Sequence, residues 1–130
     1  ENSAPSKPET PIGKGSGKPG VSYSYSTYSY DSEGHNLYYM FDWDDGTELE
    51  WIGPFTSGDI VSMSHIWNAQ GSYQLKVKAK DDPNNDGNLS DGLESVWSNT
   101  KPISMPKTKS TFLLQYFLSF LKDRFSIWLL

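Results

Sequence analysis

The ten residues Asp82-Pro83-Asn84-Asn85-Asp86-Gly87-Asn88-Leu89-Ser90-Asp91 carry oxygen-bearing side chains at alternate places ahead of a glycine. Asp82, Asn84 and Asp86 fill positions 1, 3 and 5 and Gly87 fills position 6. This is how a loop wraps a hard cation: alternate side chains turn inward, and glycine permits the sharp bend. The acid expected at position 12 is missing, since Leu93 stands there and Glu94 comes one place late, and Asp91 is the residue able to substitute. Asp82, Asn84, Asp86, Asn88 and Asp91 are therefore candidate calcium ligands. A solvated Asn/Asp turn is the alternative, because the same residue types make turns without any ion. Asn88-Leu89-Ser90 is also an acceptor sequon for N-glycosylation at Asn88, meaningful only outside the cytoplasm. A glycan there would compete with the place of Asn88 in the cation loop.

A second acidic set, Asp42, Asp44, Asp45 and Glu48, contains the carboxylate pairs that glycosidic acid/base chemistry needs. These residues crowd one tight hairpin, where turn formation and hydrogen bonds to loop amides account for them. Asp31 and Glu33 punctuate another turn. His65 falls on the inward phase of an alternating segment with Val61 and Trp67 and reads as a hydrogen-bonded core residue. His35 sits in a glycine-containing turn without a partner nearby in sequence. With two His, no Cys and no serine-centred elbow, no set of nucleophile, base and orienting group can be assembled, and the chain is expected not to be an enzyme. Trp51, Phe55 and Tyr38 are aromatics that could stack on sugars if exposed, or pack on a neighbour.

The elements that must position these groups alternate with a period of two. Val21, Tyr23 and Tyr25 share one face against Ser22, Ser24 and Ser26, and Tyr39, Phe41 and Trp43 share another. Asp44-Asp45-Gly46 closes a hairpin, with Glu48 to Ile52 expected as the returning strand, ended by Gly53-Pro54. Val61, Met63, His65 and Trp67 alternate, as do Tyr73, Leu75, Val77 and Ala79 against Gln74, Lys76, Lys78 and Lys80. Asp81 to Gly92 reads as a polar loop and Val96 to Met105 as a last strand. About seven short strands with no helical period predict an all-β, antiparallel sandwich over residues 21–106. Residues 1–20, with Pro at 5, 8, 11 and 19, read as an extended leader or linker whose last part pairs as an edge strand. Tyr73, just after Gly71, is placed to brace a loop through its hydroxyl at a tyrosine corner.

No Lys or Arg occurs between Pro19 and Leu75, while eight acids fall between Asp31 and Asp59, an acidic face that repels phosphate backbones and argues against nucleic-acid binding. If the protein is exported, its signal has been removed before Glu1. Residues 107–130 differ in character. Thirteen of the last nineteen are apolar or aromatic, with Gln115, Ser119, Lys122 and Ser126 at helical spacing, so an amphipathic α-helix is expected beyond the connector Lys107-Thr108-Lys109. Phe112, Leu113, Tyr116, Phe117, Phe120, Leu121 and Trp128 form its greasy side. Two destinations fit: contacts between copies of the chain or with its own sandwich, and peripheral membrane contact with Lys122 and Arg124 near headgroups. A span is disfavoured because Lys122-Asp123-Arg124 would fall within the hydrocarbon.

The run Phe41-Asp42-Trp43-Asp44-Asp45-Gly46-Thr47, followed by His65-Ile66-Trp67, Gly71-Ser72-Tyr73 and Val77-Lys78-Ala79-Lys80-Asp81, resembles the polycystic-kidney-disease (PKD) domain family. The flanking text, from Asn2-Ser3-Ala4-Pro5 through Trp51-Ile52-Gly53-Pro54 to Ile103-Ser104-Met105-Pro106-Lys107, looks like the version found in archaeal secreted and cell-surface proteins. The resemblance covers residues 2–107 and departs from the pattern at Asp45, where glycine is common, and in the acidic insertion after Asp81. It implies an Ig-like sandwich and an extracellular location. The function expected is a non-enzymatic structural or assembly module of a surface protein, oligomer or filament. A calcium-dependent module binding a glycan or another surface protein is the alternative. Hiding several hundred Å² of the tail at about 25 cal/mol per Å² contributes on the order of 10 kcal/mol before entropy costs. Light scattering should therefore show an oligomer for the full chain and a smaller species for a form ending at Lys107. A full chain that is monomeric without detergent or lipid would end the assembly reading.

Overall fold

The computed structural model describes residues 1–106. The amphipathic helix expected over residues 107–130 and the candidate assembly residues Phe112 to Trp128 lie outside the described residues. Six strands form in chain order: β1 (Ser22–Thr27), β2 (Asn36–Asp42), β3 (Ile52–Phe55), β4 (Val61–Ile66), β5 (Gly71–Asp82) and β6 (Lys101–Met105). One 3₁₀ turn, Leu89–Asp91, interrupts the segment between β5 and β6. The strands pair antiparallel in two sheets, one of β1 and β4, the other in the order β3-β2-β5-β6.

Alternation decides which faces meet. Tyr25 of β1, Val61 of β4, Leu37, Tyr39 and Phe41 of β2, Leu75, Val77 and Ala79 of β5 and Ile103 and Met105 of β6 are all buried between the sheets, joined by Trp43 and Trp67 just past strand ends. Rings fill much of this core. Trp67 meets Tyr25 and Trp43 edge-on at 5.7 and 5.8 Å, and Trp43 stacks on Phe41 at 5.1 Å. The buried indole of Trp67 donates to the Trp43 carbonyl at 3.0 Å, so its one polar atom is satisfied. The Tyr73 hydroxyl donates to the Ala69 carbonyl at 2.6 Å, bracing the turn into β5 as a tyrosine corner does.

Four sequence expectations need correction. The pairing of residues 1–20 is not confined to their last part: Pro5, Pro8 and Pro11 are buried, and Ser6 and Glu9 donate backbone hydrogen bonds to Tyr30 and Tyr28. The segment pairs with β1 at Ile12–Ser26, then crosses to run parallel to β6 at Ser16–Ser104. Gly13 and Gly17 permit the crossing, since a Cβ at either would lie 2.4 Å from the ring of Tyr25 or Tyr23. The return strand after the hairpin is Ile52–Phe55, not Glu48 to Ile52. Leu49 is exposed, and Pro54 is accommodated because β3 is a sheet edge where a missing N–H costs little. The last strand begins at Lys101, not Val96, which is 68% exposed. Before it, the Ser95 and Ser98 hydroxyls accept the N–H groups of Ala79 and Val77 at 2.9 Å, taking over the acceptor role of a strand backbone. Finally, Asp81 and Asp82 belong to β5 and are buried, so the polar loop starts after them.

The depth of Trp67 gives a test. Replacing it with alanine should cost about 3–5 kcal/mol in denaturant titrations. Trp67→Phe, which keeps a ring but orphans the Trp43 carbonyl, should cost about 1–3 kcal/mol. A smaller loss for alanine than for phenylalanine would contradict this account of the core.

Candidate cation site

Two histidines sit near opposite ends of β2, each beside carboxylates. Just ahead of β2, the turn Asp31–Gly34 is held by the Asp31 side chain. Its Oδ1 accepts the backbone N–H groups of Glu33 and His35, both at 3.0 Å. The antiparallel register pairs Leu37 with Asp81, so the end of β5 arrives beside this turn. Asp81 is fully buried on the inward phase of β5. Its Oδ1 accepts the Leu93 N–H at 2.7 Å where the chain returns past Gly92, and a Cβ at Gly92 would lie 2.2 Å from the Asp81 carbonyl oxygen.

His35 Nδ1 lies 3.3 Å from Asp31 Oδ1 and 3.9 Å from Asp81 Oδ2, and both side chains are closed to solvent. Among the described residues, Asp31 Oδ2 and Asp81 Oδ2 nevertheless have no hydrogen-bond partner, and neither does the neighbouring Asp82 Oδ1. Glu33 completes the group. Hydrogen bonds from the Ser32 hydroxyl and the Ser3 N–H hold its carboxyl below the ordinary carboxylate range. One ligand atom from each of Asp31, Glu33, His35 and Asp81 lies within 4.8 Å of the others, a spacing suited to one metal ion. Buried carboxylate oxygens without a donor are costly, and a cation among them removes the cost.

The loop residues singled out from sequence are arranged differently. Asp82 Oδ2 accepts Gly87 N–H at 2.8 Å, Asp86 Oδ1 accepts Asn88 N–H at 2.9 Å, and Asn88 Oδ1 accepts Ser90 N–H at 3.1 Å. Asn84 donates its side-chain amide to Asp91, the one pair of the set joined side chain to side chain. These oxygens thus serve the loop's own amides, and the loop adjoins the group at Asp31 and Asp81 through Asp82 and through Asn85, whose Oδ1 accepts Asn36 N–H at 3.2 Å. Sequence reasoning left Asp31, Glu33 and His35 as turn residues. The signal available was Asp81, which continues the inward series Tyr73, Leu75, Val77 and Ala79.

At the other end of β2 the acidic hairpin is occupied structurally. Asp42 accepts the Asp44 N–H and Asp44 the Gln74 N–H, both at 3.0 Å. Asp45 pairs with His65 Nε2 at 2.6 Å, and that imidazole lies flat on Trp43, centroids 4.4 Å apart and planes 2° apart. An open pocket of about 420 Å³ is lined by Asp45, Thr47, His65 and Tyr73. Of the aromatics considered for sugar stacking, Phe55 packs edge-on against Tyr39 at 5.9 Å, the Lys78 ammonium lies over Trp51 at 5.6 Å, and Tyr38 is half-buried. Among the described residues, no helix is long and apolar enough to cross a membrane.

Burial of Asp45 opposes its ionisation, but hydrogen bonds from Thr47 and His65 outweigh burial and hold the carboxyl below its ordinary range. A native pKa depressed in this way stabilises the fold above the unfolded pKa, and the contribution is lost as pH falls through the native one. Acid unfolding followed by tryptophan fluorescence should thus be less steep below about pH 4 for Asp45→Asn than for the parent chain. Equal profiles would show that the Asp45–His65 pair does not support the hairpin.

No family model and no curated protein matches the chain. Among solved structures it matches the PKD domain of an M14-like peptidase from Thermoplasmatales archaeon SCGC AB-540-F20, at 37% sequence identity and a TM-score of 0.69. That match spans 82% of this chain and all of the other. Fold and sequence agree over most of the chain, and the chain belongs to the PKD domain family.

Proposed function

We propose that the chain is a non-enzymatic structural module of an extracellular, cell-surface protein, stiffened at one end by a divalent cation held by Asp31, Glu33, His35 and Asp81. The observation that carries the cation reading is the pair of buried oxygens, Asp31 Oδ2 and Asp81 Oδ2, which find no hydrogen-bond partner among the described residues and belong to carboxylates 3.3 and 3.9 Å from the His35 imidazole. Three carboxylates offer the hard oxygen ligands that suit calcium, with His35 as the nitrogen donor that sets this group apart from an all-oxygen loop. The module reading is supported by the relative, which is itself one domain of a peptidase. The aromatic tail from Phe112 to Trp128 supports assembly with further copies into an oligomer or filament. A glycan or a second surface protein is the alternative partner, and the open pocket beside His65 favours it.

A bound ion would tie the turn before β2 to the end of β5 and to the returning chain at Leu93. Binding the folded state alone stabilises it by mass action, about 2.7 kcal/mol at a hundredfold excess over Kd. Melting of the full chain should therefore rise on going from chelator to millimolar calcium. The rise should disappear in Asp81→Asn and shrink in Glu33→Gln, whose exposed side chain makes misfolding no explanation. A melting temperature unchanged by calcium would refute the calcium site, and a response to zinc alone would assign the donors to a metal led by His35.

A further inference from the structure

We propose that Asn88 is the acceptor of an N-linked glycan, presented by the folded loop together with Asp86 as a charged handle for the transferase. The inference rests on the extracellular reading above. Asn88, Ser90 and Asp86 are all exposed, on a segment that stands off the end of the β2–β5 pair. Asn88 has φ −90° and ψ 108°, extended backbone, and it caps the short 3₁₀ turn Leu89–Asp91.

Two hydrogen bonds orient the Asn88 amide. Its Oδ1 accepts Ser90 N–H at 3.1 Å, and its backbone N–H donates to Asp86 Oδ1 at 2.9 Å. The sequon is thereby folded so that the Asn88 amide and the Ser90 residue stand side by side, and Nδ2 takes no part in these loop hydrogen bonds. The bond at Oδ1 draws electron density toward oxygen and makes the Nδ2 hydrogens easier to remove. Asp86, two residues ahead of the acceptor, is exposed, and its second oxygen, which takes no hydrogen bond among the described residues, can pair with a basic group on an incoming enzyme.

Because the candidate cation group is centred on Asp31 and Asp81, Asn88 is released from ligand duty, and a sugar at Asn88 leaves that group intact. The donor class is an oligosaccharide joined through its first sugar to a polyprenyl diphosphate. In the transfer, Nδ2 forms a bond to the sugar C1. The C1–oxygen bond to the diphosphate breaks, the lipid diphosphate leaves with the electron pair, and the proton from Nδ2 passes to a basic group of the transferase.

The test uses the purified full chain in its folded state, a single-subunit oligosaccharyltransferase and a lipid-diphosphate-linked oligosaccharide, read by intact mass. One glycan-sized increment is expected. It should be absent from Asn88→Gln and Ser90→Ala and formed several-fold more slowly by Asp86→Asn, with the melting temperature of all three variants near that of the parent. No increment while a control sequon peptide is modified, or an increment only after the chain is unfolded, would overturn the proposal. Equal rates for Asp86→Asn would overturn the role given to Asp86. Failure of the extracellular reading would register separately, as a native chain that stays inside its cells while the purified protein still accepts the glycan.

Discussion

The hydrogen bond from the Trp67 indole to the Trp43 carbonyl joins the two sheets at the centre of a chain that has no cysteine to tie them. One partner extends from β4 in the small sheet, the other from β2 in the large one. Around that bond the rings of Tyr25, Phe41, Trp43 and Trp67 meet edge to face or stacked, and the flat His65 imidazole closes the cluster toward the hairpin. A sandwich of this length has a small interior, and four large rings remove more apolar surface from water than the same number of aliphatic side chains. Within the larger sheet, the register of β2 on β5 sets Leu37 opposite Asp81.

Strand faces could be read from sequence because burial on one side imposes a period of two, which β2 shows over its whole length and β5 from Tyr73 to Asp81. The leader escaped because prolines carry no such alternation. Pro5, Pro8 and Pro11 are spaced by three, the repeat of an extended polyproline helix, and all three turn inward. The stretch Ser95–Ser98 escaped for another reason. Its small hydroxyls pair with β5 through side chains, a pairing that leaves no hydrophobic pattern behind.

The candidate cation group was hidden by sequence distance. Asp31 and His35 lie in one turn and Asp81 nearly fifty residues later, brought together only by strand register. The acidic loop drew attention instead because its oxygens alternate locally, and local spacing serves turn formation as readily as metal binding. An acid on the inward phase of a strand is the more telling sign, since its burial demands a partner. The two ends of β2 resolve the same problem in different ways: Asp45 finds His65, Thr47 and a hydrogen-bonded turn, while Asp31 and Asp81 share one imidazole and retain oxygens to spare.

The crossing of the leader has a mechanical meaning. Gly17 N–H donates to the Ser104 carbonyl and Ser104 N–H to the Gly15 carbonyl, so the first segment runs parallel to the last strand. In a linear array of domains, a pull on the two ends of this module would draw those neighbours past each other lengthwise. Their hydrogen bonds would then bear the load together, where an antiparallel pair pulled from one end parts bond by bond. Under such a pull, the residues that look like a loose tether in sequence would act as a clamp, with the buried prolines behind it opposing peeling.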